Sequence, residues 1–151
     1  MYGYSAALGP VALALWGFPG DARKYLESLL SMQRPDGLFT ANFGTPDPGA
    51  LLVSIAEHFR ITGDAAWLRS AAPRMVKMCG WIAAKRKETM RLVDGKRPAG
   101  YGLILFSPYC DFQSPCIDYF GDAYCCAGLE AAASALASAG RGEDAAKIAA
   151  E

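Results

Sequence analysis

Histidine is almost missing from this chain: His58 stands alone, in a helical stretch and without a serine-elbow partner, which argues against a Ser-His-Asp hydrolase. Net charge is missing too. Fifteen basic residues balance fifteen acidic ones, so no long-range field recruits nucleic acid or an anionic membrane. Residues 1–20 carry no charge at all. They also lack a basic leading segment, and Gly3, Gly9, Pro10 and Gly17 interrupt the run, so a buried helix is expected rather than a signal peptide or membrane span. Gly100-Tyr101-Gly102 lacks the rest of any phosphate-binding fingerprint. Cysteine is present in an odd number, five, and the adjacent Cys125 and Cys126 are ill placed to bond each other. Free, mostly buried thiols are expected, in a reducing compartment such as the cytoplasm. Neither a metal site nor a cofactor is expected from Cys110, Cys116, Cys125, Cys126 and His58, whose spacing is not that of zinc ligands.

What is there is enough apolar material for one core. At 151 residues and 52% hydrophobic content, the chain reads as a single globular domain spanning 1–151. A helix followed by Gly-Asp-Ala, or something close to it, recurs three times: Gly20-Asp21-Ala22, Gly63-Asp64-Ala65, and Gly142-Glu143-Asp144-Ala145 after Gly140. Glycine can end one helix in the left-handed conformation, and the aspartate after it can cap the next. Each copy therefore predicts the tight turn of an αα-hairpin, at Gly20, Gly63 and Gly140.

The two helices of each pair differ. Those before the turns, about 4–16, 48–61 and 119–139, are apolar or small on most faces. Those after the turns are amphipathic, with Tyr25, Leu26, Leu29 and Leu30 forming a stripe opposite Arg23, Lys24 and Glu27. The second amphipathic segment, 64–87, contains Pro73, which predicts a new helix starting there. Inner apolar helices and outer amphipathic ones make two layers. The connections alternate too: turns within hairpins are short, whereas 34–47 and 90–118 are long and should share one face. Long connections on a rigid scaffold are the expected place for binding and chemistry. The second of them predicts a small β-hairpin, with 89–93, an Asp94-Gly95 turn and the apolar run 101–106.

Several stretches carry a resemblance to a known superfamily. They are 29–39 (Leu-Leu-Ser-Met-Gln-Arg-Pro-Asp-Gly-Leu-Phe), 55–64 ending in Thr-Gly-Asp, Trp67-Leu68, Pro73, 81–86, and Asp118-Tyr119-Phe120-Gly121-Asp122-Ala123-Tyr124 running into Gly128-Leu129-Glu130. In these the chain resembles the six-hairpin glycosidases, whose catalytic domains are (α/α)6 toroids. The resemblance implies a mainly α fold, an array of three αα-hairpins forming half of such a toroid. The chain would then be a fragment, or would find its second half in another copy. It also implies hydrolysis of a glycosidic bond, with acid–base catalysis by paired carboxylates and a carbohydrate ligand.

A glycosidase needs two carboxylates flanking the scissile bond. On the long-loop side, Asp47 is expected to cap a helix before Pro48, Asp94 to serve a turn, Asp118 to cap the third inner helix, and Asp122 to sit in that helix's first turn. Asp36 precedes glycine and fits a turn or a site. Asp111, in Tyr109-Cys110-Asp111-Phe112-Gln113, fits neither turn nor cap, and is the foremost catalytic candidate with Asp36 as its partner. Seven of the fourteen Phe and Tyr residues fall between Tyr101 and Tyr124. Tyr101, Tyr109 and Tyr119, with Gln113, are the candidates for binding sugar, while Phe106 and Phe120 are expected to pack. The long loops contain no glutamate. The rival expectation is therefore a non-catalytic helical-repeat module for binding or assembly. Either way, three hairpins cannot close a ring, and a homodimer covering the first and third inner helices is expected.

Overall fold

Among the described residues, six helices and one short strand pair follow in the order α1 (Gly3–Leu15), α2 (Pro19–Ser31), α3 (Asp47–Thr62), α4 (Ala65–Thr89), β1 (Leu105–Phe106), β2 (Cys116–Ile117), α5 (Tyr119–Ser138) and α6 (Gly142–Ala149). The structure, a computed structural model, describes residues 3–41, 47–106 and 114–151. Among these, no helix is long and apolar enough to cross a membrane.

The helices pair as three hairpins. α3 packs between α1 and α5, while α2 packs on α1 and α6 on α5. The amphipathic stripe of α2 behaves as its spacing predicts: Ala22, Leu26, Leu29 and Leu30 are buried. In α3 the buried set runs almost all round, from Ala50, Leu51 and Leu52 to Ile55, Ala56 and His58. A helix with so little polar surface must be covered on several sides, which is what a central position provides. Ser54 on α3 donates its hydroxyl to the carbonyl of Ala7 on α1, tying the two apolar helices at a buried point.

The two ends of the array differ. At one end the short turns are cross-linked: the Arg23 guanidinium meets Asp64 at 3.3 Å, and that of Arg69 reaches the Ala139 carbonyl at 3.4 Å. At the other end α3 and α5 start side by side, because Gly49 lies against Tyr124, Cys125 and Gly128. Both long connections therefore deliver the chain to neighbouring helix starts.

Three local expectations are corrected. The first hairpin turns at Gly17 (φ +90°), with Pro19 opening α2, so Gly20 lies inside the helix and Asp21 in its first turn. Proline fits the first helical position, which has no helical use for an N–H. Only Asp64 caps as the repeat predicts, its Oδ1 accepting from the Trp67 N–H at 2.9 Å. Pro73 does not start a helix: α4 runs through it for 25 residues. The buried stripe Leu68, Ala72, Met75, Met78, Cys79 and Ile82 stays in helical register across it, and its burial outweighs the missing hydrogen bond. Asp94 (φ 49°) and Gly95 (φ 73°) do form a tight turn, closed by the Val93–Lys96 bridge. The run 101–106 nevertheless pairs elsewhere. Leu105 and Phe106 lie antiparallel to Ile117 and Cys116, which buries Phe106 in the core.

Candidate functional site

A cavity of about 600 Å3 lies where the start of α5 meets the end of α4 and the last turn of α6. Its walls carry Asp122, Cys126 and Glu130 from α5, Arg86 from α4, Leu103 from the long connection and Ile148 from α6. Its size falls in the range of small-ligand sites, and its lining mixes apolar surface with a few polar groups as such sites do.

Local chemistry places each of these groups. Asp118 caps α5, its carboxylate accepting the N–H groups of Phe120 at 3.1 Å and Gly121 at 3.0 Å. With the helix start pinned, Asp122 stands one turn further on, on the same face. Its Oδ1 accepts the Ile104 N–H at 2.9 Å, so the residue clamps the strand leading into β1 onto α5. Its Oδ2 is buried and has no hydrogen-bond partner. Burial pushes the Asp122 carboxyl above the ordinary aspartate range and nearby Asp118 adds to this, against the opposing pull of the Ile104 N–H and of Arg86.

Arg86 spans the cavity's edge, its Nε donating to the Gly102 carbonyl at 3.3 Å and its Nη1 to the carbonyl of Glu151. Thr89 adds a hydroxyl bond to the Leu103 carbonyl at 2.6 Å. These bonds fix residues 102–104, and with them the lip of the cavity. On the same wall, burial pushes the Cys125 thiol up to about 12, so it stays protonated and inert. Cys126 beside it is an exposed free thiol.

The sequence candidates fall elsewhere or outside the described residues. Asp36 is exposed, with Oδ1 accepting the Leu38 N–H at 3.1 Å and Oδ2 at 3.2 Å from Arg34. The turn it shapes is pressed onto the middle of α4, where an added Cβ on Gly37 would lie 2.3 Å from the Lys77 carbonyl oxygen. Tyr101 is half-buried under the Arg97 guanidinium, which sits 4.8 Å from its ring centre, and Tyr119 is exposed. None of these three lines the cavity. Asp111, Tyr109 and Gln113 lie outside the described residues; in sequence they belong to the segment joining β1 to β2. Asp47 is buried, and its Oδ2 accepts the Ala41 N–H at 3.0 Å, which fastens the first long connection to the start of α3. Asp122, Glu130 and Arg86 line the cavity and were not among the candidates the sequence put forward. One signal was there for Asp122: a second acid four residues after a cap is one more than a helix start needs.

Comparison of the chain with protein-family models, with curated proteins and with solved structures gave no match.

Proposed function

We propose that the chain is a carbohydrate-active protein of the six-hairpin glycosidase type, hydrolysing a glycosidic bond between paired carboxylates. The observation that carries this reading is the 600 Å3 cavity with Asp122, Glu130 and Arg86 on its walls, at the end of the array where the long connections enter α3 and α5. The sequence resemblance supplies the reaction class, and the cavity supplies a place of the right size and chemistry for it.

Of the two carboxylates proposed from the sequence, Asp111 is favoured over Asp36. The segment carrying Asp111 runs between β1 and β2, and Ile104, one residue before β1, is bonded to Asp122. Asp36 is engaged by Leu38 and Arg34 on a turn away from the cavity. Tyr109 and Gln113 share the Asp111 segment and are proposed, with Tyr101 and Tyr119, to contact sugar. The test is hydrolysis of a panel of aryl glycosides, followed by Asp111→Asn. A loss of 100-fold or more in kcat supports the role of Asp111. An active protein indifferent to Asp111→Asn, or a chain that cleaves and binds no glycoside, removes it.

A further inference from the structure

Glycosidase acids share one requirement. The carboxyl must hold its proton at the working pH and surrender it to the leaving oxygen, so it must be shielded from water yet close to the ligand. Among the described residues, three groups are buried and titratable without a full set of partners or a plain packing role: His58, Cys125 and Asp122. His58 faces Trp67 in the core, remote from the cavity lining, and Cys125 is too basic a thiolate to act near neutrality. Asp122 alone combines a place on the cavity wall, a buried unpartnered oxygen and a neighbouring ionisable set.

We propose that Asp122 is the general acid of this site, its Oδ2 carrying the proton delivered to the glycosidic oxygen. The assignment rests on the glycosidase reading above. The Ile104 N–H holds Oδ1 at 2.9 Å and so fixes which oxygen is left over. Oδ2 has no donor to stabilise it as an anion, and the cheapest state for such an oxygen is the protonated one. The raised titration of Asp122, set by burial first, agrees with this geometry. Asp122 lines the cavity while its Oδ2 is buried, so the role requires the carboxyl to reach the ligand in the substrate complex, as is common for acids and bases in empty sites. The charged and titratable groups around it are Arg86 at the end of α4, Asp118, Cys125, Cys126 and Glu130 on α5, and Glu151 after α6.

The reaction balances with two carboxyls and one water. As the bond between the anomeric carbon and the glycosidic oxygen breaks, its electron pair stays on that oxygen. The oxygen takes the Asp122 proton and departs as an alcohol. Water adds its oxygen to the anomeric carbon and yields a proton to a second carboxylate. Exchange of both protons with solvent resets the site.

The test compares the wild-type chain with Asp122→Asn on alkyl and 2,4-dinitrophenyl glycosides of common neutral and acidic sugars. Asparagine keeps the carbonyl that accepts the Ile104 N–H and removes only the acid. The expected result is a fall of 100-fold or more in kcat on alkyl glycosides, little change in KM, and less than about 10-fold loss on the dinitrophenyl substrates, which need no acid. Equal losses on both substrate types, or none, overturn the acid role and leave the glycosidase reading standing. A wild-type chain that cleaves nothing overturns both. Carbon-13 titration of the wild-type Asp122 carboxyl stands independently of any variant's folding: titration in the ordinary aspartate range also overturns the assignment.

Discussion

Gly49 and Gly128 meet backbone to backbone where α3 runs beside α5. A Cβ built on Gly128 would lie 2.7 Å from the Gly49 carbonyl oxygen, and one built on Gly49 would lie 2.3 Å from that of Tyr124. Neither obstacle is a flexible side chain, so neither can turn aside. Gly49→Ala and Gly128→Ala must therefore push the two helices apart at the point that sets the cavity wall. Each is expected to cost about 3 kcal/mol, the upper end for overpacking, and to lower Tm by roughly 6–12 °C. Gly80→Ala is the control. It lies exposed inside α4 with nothing within 4 Å of an added Cβ, and should raise stability by about 1 kcal/mol. Thermal melts of the three variants decide the point, and equal, small effects would mean that the helix contact is looser than described.

His58 predicts how stability follows pH. Its ring is buried edge-on against Trp67 with centroids 4.8 Å apart, and its Nδ1 has no partner. Burial lowers its pKa, with Arg23 adding to the effect and Asp64 opposing it. Because the folded value is depressed, the unfolded chain takes up the proton first on acidification. The contribution of His58 is thus complete above the unfolded pKa of about 6.5 and is lost as pH falls below it. Urea midpoints measured at pH 7.5 and 5.5 should drop in the wild type. They should drop measurably less in His58→Leu, whatever that variant's own stability. Parallel drops would show that His58 is not responsible.

Asp118 separates capping from charge. Asp118→Ala removes the acceptor for two N–H groups at the start of α5 and should cost about 1 kcal/mol. Asn also caps well, so Asp118→Asn should cost far less. It removes a negative charge that raises the Asp122 carboxyl, so the titration of Asp122 should move down in this variant. Carbon-13 titration of Asp122 in Asp118→Asn checks this. An unmoved midpoint would leave burial as the whole cause.

Much of the fold was legible because its signals are local. The apolar and amphipathic helices alternate as their spacing predicts, and the Asp64 and Asp118 caps follow from one residue and its neighbours. Where two local rules competed, the sequence did not choose. Gly17 and Gly20 both suit a turn, and Pro19 between them decides, because proline opens a helix more readily than it ends one. At Pro73 a local break lost to burial along the whole of α4. The strand partner of Leu105 and Phe106 lies across the 107–115 segment, a pairing that no periodicity reports. The site was the least legible part. Asp122 looks like any first-turn acid until Ile104, eighteen residues earlier, comes back to bond it. Arg86 reads as the end of an amphipathic helix until the Gly102 and Glu151 carbonyls converge on it.

The last prediction is self-association, proposed from the apolar character of the first and third inner helices. Leu15, Trp16 and Phe18, at the end of α1 and its turn, are 65%, 75% and 54% exposed. Three large apolar side chains this open within four positions are costly to leave in water. At about 25 cal/mol per Å2, covering even 200 Å2 of them would yield about 5 kcal/mol before the cost of association. On α5, Tyr119 and Phe120 are 74% and 47% exposed, so the third inner helix also presents aromatic surface. Both helices belong to the central row, and each packs on α3 alone among the inner helices, whereas α3 has an inner neighbour on either side. A second copy of the chain would supply apolar surface of the same kind to both. A two-fold arrangement is the simplest that uses each surface once in each copy. Light scattering on the purified chain at increasing concentration should show a dimer, and Trp16→Lys with Phe18→Ser should shift it to monomer without a large loss of helicity. A wild-type chain that stays monomeric and soluble at high concentration would end the dimer proposal, and with it the idea that a second copy completes the ring.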